Sequence, residues 1–270
     1  MRLFVADLRK LVRRPASFIS LGILFGLMAL IFIATGATAR QAAAAPGGQA
    51  ALLAVTFPGA YTLILSFILG LGGFFALIYG AAIAGSEWTW GTLKSAVARG
   101  ESRTRYQLGM FAAIAVLIGV GVLTAFLVGV AVAYVGALLA GVSTSGLSDS
   151  TTLGRLPELL GRTWLAVVEE AALGFAIATV ARSQLAGIGG GIAFYFGALF
   201  ASIFLPDIVK YLPFEAASAV VAVSAEEFGG GGGALVSRLD PNTALLVVAA
   251  WLIGSLVVAT LFTKQAEISG

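Results

Sequence analysis

Long apolar runs broken by short polar ones set the strongest constraint on this chain. Residues 16–35 carry no charge and reach ~20 residues, the length an α-helix needs to cross the hydrocarbon core of a bilayer. Comparable runs cover residues 58–84, 108–139, 163–180, 185–205 and 244–262. Backbone N–H and C=O groups inside lipid must be satisfied within the segment itself, so runs of this kind become helices. The expected fold is an all-α polytopic membrane protein with six transmembrane helices in one domain. Charged residues make up 11% of the chain, well below the roughly 25% of soluble domains, and the mean hydropathy is +1.01.

The segments between the runs give the rest of the organisation. Residues 1–15, MRLFVADLRKLVRRP, place Leu3, Phe4, Leu8, Leu11 and Val12 at helical spacing, with Arg9, Lys10, Arg13 and Arg14 around them. A helix of this pattern lies in the membrane interface with its arginines near anionic lipid. A cleaved signal peptide ending at Ala37-Thr38-Ala39 is the competing reading, and the length of span one argues against it. Within that span Gly22 and Gly26 offer a close-packing pair. Residues 36–54 are expected as a small polar loop. Gly70, Gly72 and Gly73 are the expected flexible point of span two, which is long enough to tilt or bend. Residues 140–161, with Asp149 and Pro157, read as an exposed loop. Residues 206–243 form an extracellular or re-entrant segment, with a break at Lys210–Pro213, a short apolar stretch over 214–223 and a glycine hinge over 229–233.

Six spans put both termini on one side. The segments on that side hold Arg2, Arg9, Lys10, Arg13, Arg14, Lys94, Arg99, Arg103, Arg105, Arg182 and Lys264; the opposite side holds Arg40, Arg155, Arg162, Lys210 and Arg238. The positive-inside rule then makes both termini and residues 85–107 cytoplasmic, in a plasma membrane. Residues 85–107, GSEWTWGTLKSAVARGESRTRYQ, are the one strongly basic interruption between two long spans. A short helix fits Thr92–Ala98 there, stopped by Gly100.

The composition excludes several chemistries. With no Cys and no His, disulfides, imidazole metal sites and Ser-His or Cys-His catalysis are ruled out, and three Met give little basis for a copper pathway. Gly91-Thr92-Leu93-Lys94-Ser95 superficially resembles a phosphate-binding loop, but Leu93 stands where Gly must precede the lysine, and the context is a membrane helix. The chain is expected to bind no nucleotide or other cofactor, to have no enzymatic activity and to bind no nucleic acid.

The basic N-terminal helix, the turn SEWTWGTLKSAVARGESRTRY after span two, the short Ala181-Arg182-Ser183 turn after span four and the broken Tyr211-Leu212-Pro213 segment occur in a distinctive order. In that order the chain resembles the membrane subunit of a type-2 ATP-binding-cassette (ABC) exporter. The resemblance implies a coupling helix after span two that docks on a separate ATPase subunit, with Glu87, Gly91, Thr92, Leu93, Lys94, Arg99 and Arg103 in that region. ATP and Mg would be bound by the ATPase, and a second permease subunit, identical or not, would complete the pathway. Trp88 and Trp90 would set the height of the turn at the headgroups.

Two further features stand out. Glu169 and Glu170 fall inside span four, where a lipid-facing carboxylate costs ~2.5 kcal/mol or more. Either one faces a cavity and meets cationic substrate, or both belong to a structural polar network, or span four begins later than residue 163; Arg162 is a candidate partner for Glu169 on nearly the same helical face. In span five, Gly189, Ala193, Gly197 and Ala201 form a small-residue stripe beside Phe196, Phe200 and Phe204. With Phe67, Phe74 and Phe75 of span two, these aromatics are candidates to line a central route, against a plain lipid-facing or core role. The resulting expectation is ATP-driven export of a hydrophobic or amphipathic substrate (drug, antibiotic, peptide or lipid). The rival expectations are a proton-coupled secondary transporter using Glu169 or Glu170 and a membrane scaffold that recruits a soluble partner.

Overall fold

The computed structural model describes residues 2–42, 48–221 and 239–265. Among them the chain is all-helical, without strands. Six helical segments are long and apolar enough to cross a membrane: Pro15–Ala39, Gly59–Thr89, Arg103–Ala140, Ser150–Ala181, Gln184–Ala201 and Pro241–Gln265. This is the architecture of a membrane protein.

Helix α1 (Arg2–Val12) leads into α2 (Pro15–Ala42), then α3 (Gly48–Val55) and α4 (Gly59–Phe67). A π-helical turn, Ile68–Gly72, joins α4 to α5 (Gly73–Thr89) in one span. The short α6 (Thr92–Ala98) precedes α7 (Arg103–Ala140), and a 3-10 turn, Ser145–Ser148, precedes α8 (Ser150–Ala181). Helices α9 (Gln184–Ala201), α10 (Pro206–Val209), α11 (Pro213–Ala219) and α12 (Pro241–Gln265) complete the described chain. Three of the starts follow from side-chain caps. Ser102 accepts from Arg105 N, Asp149 from Thr152 N and Ser183 from Ala186 N, each satisfying a backbone donor that the first turn leaves unpaired.

Two expectations are corrected by these boundaries. Residues 36–54 are mostly helical rather than a loop, because α2 continues to Ala42 and α3 begins at Gly48. Of the loop expected over 140–161, all of 150–161 belongs to α8, since the Asp149 cap starts the helix ahead of Pro157. At the glycines expected as the flexible point of span two, the helix takes a π-helical turn. The glycine run over 229–233 lies outside the described residues.

Helix α8 is the centre of the bundle. Its most apolar stretch is 72% buried, against 17% for those of α2, α9 and α12. It packs most extensively on α5. Lipid tails are as apolar as leucine, so helices in a bilayer associate through van der Waals contact that small residues make possible. At the α5–α8 seam a Cβ on Gly80 would run into the Ala171 carbonyl, and one on Gly174 into the Leu77 carbonyl. The seam between α2 and α7 is closed in the same way by Gly36 against Gly136.

Two packing expectations move to other glycines of the same helices. Gly22 and Gly26 meet no neighbouring atom, and the tight contact of α2 falls at Gly36 instead. In α9, Gly189 and Gly197 face open space, whereas Gly187 abuts Ala178 and Gly191 abuts Leu77. The small-residue stripe read from sequence is thus on the outer side of α9, and its neighbouring stripe carries the internal contact.

Gly174→Ala is expected to destabilise the bundle by about 1–3 kcal/mol, the usual cost of overpacking a closed seam. Gly109→Ala, at a helix position with open space around it, should be neutral or slightly stabilising through helix propensity. Thermal unfolding of both variants in detergent, read by size-exclusion recovery, checks the contrast.

Candidate functional site: a buried carboxylate at the basic end of the bundle

The basic residues on α1, the α5–α7 turn, the α8–α9 turn and the end of α12 gather at one end of the bundle. The contacts joining them run across the chain: Lys10 to Glu87, Arg14 to Ser86 at 3.1 Å, and Arg103 to the carbonyls of Thr263 and Lys264 at 3.4 and 3.0 Å. The Arg182 guanidinium lies 5.5 Å from the Trp88 ring centroid and that of Arg14 lies 5.2 Å from Trp90. Both tryptophans therefore hold arginines by cation–π attraction.

Glu87 is the centre of this end. It sits on the last turn of α5, 2% exposed, and accepts hydrogen bonds from Lys10 Nζ of α1, Thr92 Oγ1 of α6 and Tyr106 OH of α7, the last at 2.5 Å. A buried carboxylate needs this many partners, because its desolvation is repaid only when a counter-charge and donors fill its lone pairs. Four helices are thereby tied at one point. Gly91 makes the tie possible: it turns the chain between α5 and α6 with φ +66°, a left-handed conformation that side chains resist.

Helix α6 has two faces. Leu93 and Ala96 are buried against Tyr106, with Trp88 and Val97 beside them, in a small cluster separate from the main core. Lys94, Ser95, Ala98 and Arg99 face outward, as does Arg105 at the start of α7. The residues named from sequence for this turn thus split. Glu87 and Leu93 point inward, so neither offers a surface to a partner. Arg103 is drawn to the last turn of α12, where its guanidinium satisfies carbonyls that the helix end leaves open. Lys94 and Arg99 are exposed. Lys10, Arg14 and Tyr106 were not among the residues singled out for this site, although a carboxylate beside an aromatic-rich basic turn needs donors of these kinds.

Asp7 lies nearby on α1, 8% exposed, with Oδ2 unpaired among the described residues. Burial holds its carboxyl above the ordinary value of 3.8; Lys10 opposes that rise and Glu87 adds to it.

The intramembrane carboxylates occupy the middle of α8. Glu169 is fully buried with both oxygens unpaired among the described residues, and Glu170 is 3% exposed with Oε2 unpaired. Arg162 does not partner Glu169. It bonds Glu158 at 2.7 Å, one turn away, and Asn242 of α12 at 2.9 Å, toward the other end of the helix. Of the pathway aromatics, Phe74 and Phe196 meet at 6.4 Å between centroids, and Tyr195 joins them at 5.0 Å from Phe74. Phe67 packs against the main core, and exposed Phe200 contacts Phe204.

The sequence matches no protein-family model and no curated protein.

If Glu87 and Lys10 act as one unit, Lys10→Ala and Glu87→Ala should be strongly non-additive. A double-mutant cycle on thermal stability is expected to give a coupling of about 0.5–3 kcal/mol. Asp7 supplies a pH signature. Its raised folded-state pKa means its contribution to stability is full below the unfolded value and is lost as pH rises through the folded one. Asp7→Asn should therefore raise the melting temperature at pH ~7, and the difference from wild type should close as the pH is lowered toward ~4.

Proposed function

We propose that this chain is the membrane-spanning permease subunit of an ABC exporter, working as a dimer of permease subunits with a separate ATPase subunit supplying ATP hydrolysis. The observation that carries the reading is the four-helix tie at Glu87 beneath an outward-facing basic helix. A force applied to α6 from outside the membrane has a rigid route into α5 through Glu87, into α7 through Tyr106 and into α1 through Lys10. An ordinary connecting loop has no need of such a joint.

On this reading α6 is the coupling helix. Its buried face, Leu93 and Ala96, fixes it to the bundle, and its outer face offers Lys94 and Arg99, with Arg105 beside it, to an acidic groove on the ATPase. Helix α1 lies along the interface, with Leu11 buried in the core and Arg9 and Arg13 exposed toward lipid headgroups. The concentration of cationic side chains at this end supports its placement on the cytoplasmic side. Helices α10 and α11 form the extracellular or re-entrant element between spans five and six. Nucleotide-driven closure of the ATPases moves α6, and the joint at Glu87 converts that movement into a change in the packing of α5. The exported substrate is hydrophobic or amphipathic, in keeping with the aromatic contact between spans two and five.

A photo-crosslinking residue at position 99 of the full chain, in its native membrane, tests the reading. The expected adduct is a P-loop ATPase. Arg99→Glu with Arg105→Glu should lower ATP-driven uptake into inverted vesicles by at least about tenfold, as loss of a docking hot spot does, with an unchanged melting temperature. Adducts lacking any nucleotide-binding protein, labelling of Lys94 from outside intact cells, or transport that survives ATP depletion and stops with the proton gradient would each overturn it.

A further inference from the structure

Between α4, the π turn, α8, α9 and α11 lies a cavity of about 210 Å³. Its wall carries Glu170, Glu215, Ser66, Ser218, Tyr195 and Phe214, and no lysine or arginine is among the described residues lining it. Glu170 is the buried member of this set. Its carboxylate rests against Gly73, where a side chain would occupy the same space, and its Oε2 has no hydrogen-bond partner among the described residues. Glu169, its neighbour, is not on this wall. Tyr195 and Phe214 meet edge to face at 4.8 Å, and Tyr195 continues the contact to Phe74.

We propose that this cavity binds the protonated amine of an amphipathic ligand, with Glu170 as its counter-ion. Identifying that ligand as the transported substrate rests on the export reading above; the binding itself does not.

The chemistry of the wall selects the charge. In its ionised form a buried carboxylate is stable only where it meets a positive charge and a hydrogen-bond donor together. An ammonium group supplies both. It has hydrogens enough for Glu170 and for the hydroxyl oxygens of Ser66 or Ser218, and its charge is favoured beside the rings of Tyr195 and Phe214. An anion would face the Glu170 carboxylate, and a neutral alcohol would bring no charge to it.

The size selects the shape. Pockets that enclose a whole drug-sized ligand run to ~300–1,000 Å³. This smaller cavity takes a head group and leaves the rest of the molecule outside. Leu199 belongs to the wall and is also exposed, and Phe196 and Phe200 are exposed on the same helix. An apolar tail leaving the cavity therefore finds an apolar ridge along α9. The head-and-tail arrangement makes the ligand a cationic amphiphile rather than a small inorganic cation.

The test uses the full-length chain in lipid nanodiscs, without any ATPase, and three probes of one shape: 2-phenylethylamine, 2-phenylethanol and 3-phenylpropionate. Titration calorimetry, corrected against empty nanodiscs, should show saturable binding of the amine. The alcohol and the carboxylate should bind at least about tenfold more weakly, the scale of one charge-assisted hydrogen bond. Glu170→Gln should weaken amine binding by at least about tenfold and Glu169→Gln by less than about twofold. No saturable binding of the amine, equal binding of the alcohol, or an equal loss in Glu169→Gln would overturn the proposal. Should Glu170→Gln fail to assemble, the comparison of the three probes on the wild-type chain decides alone. Amine binding without an ATPase adduct at position 99 would leave the site standing and refute export, whereas the adduct without amine binding would refute only the site.

Discussion

The backbone-to-backbone approach of α5 and α8 is the constraint on which the rest of the structure depends. Gly80 and Gly174 each sit where the other helix's carbonyl leaves no room for a side chain. In water such a seam would be secondary to hydrophobic burial. In a bilayer it is a principal source of association, because exchanging lipid for leucine gains little. Once α5 and α8 are locked at this spacing, the positions of their polar residues follow. Glu170 falls against Gly73, and Glu87 falls at the end where α1, α6 and α7 converge.

The polar groups divide according to whether they have partners. At the basic end Glu87 is saturated by a lysine, a threonine and a tyrosine, so its burial strengthens the joint. In the middle of α8 the oxygens of Glu169 and Oε2 of Glu170 have none among the described residues. A fold that satisfies one buried carboxylate from three helices and leaves the next unsatisfied is treating the two differently. The first has the character of a structural tie, and the second that of a site with room for something else.

The spans were legible in the sequence because an uncharged run of ~20 residues has one stable outcome in lipid. What was not legible depended on distant partners. Lys10 and Glu87 are 77 residues apart, and Glu87 and Tyr106 are 19 apart, so nothing local in the basic turn reveals that Glu87 points inward. Arg162 had Glu158 four residues before it and Asn242 across the bundle, and both are nearer its end of α8 than Glu169 is. Residues 150–161 looked like a loop because Ser, Thr, Asp and Pro favour turns, yet Asp149 uses that preference to cap a helix. Tyr195 carries no signal in the sequence because it belongs to no periodic aromatic stripe, although it is the ring that links Phe74 to Phe214.

Helix α5 connects the two carboxylate sites directly. Gly73, the seat of Glu170, is its first residue, and Glu87 lies on its last turn. At the helical rise these positions are separated by about 21 Å along one uninterrupted rod. Just beyond Gly73 the rod meets the π turn at Ile68–Gly72, where the regular hydrogen-bond ladder is broken. On the export reading, a displacement of α6 enters α5 at Glu87, and the same helix carries it to Gly73. The π turn is the place where such a movement is absorbed, so α4 need not follow. The groups that shift relative to one another are then Gly73 and the Glu170 carboxylate it supports, at the edge of the cavity. On that reading a single element joins the proposed site of force and the proposed site of binding, with the irregular turn placed where the two would otherwise be rigidly fused.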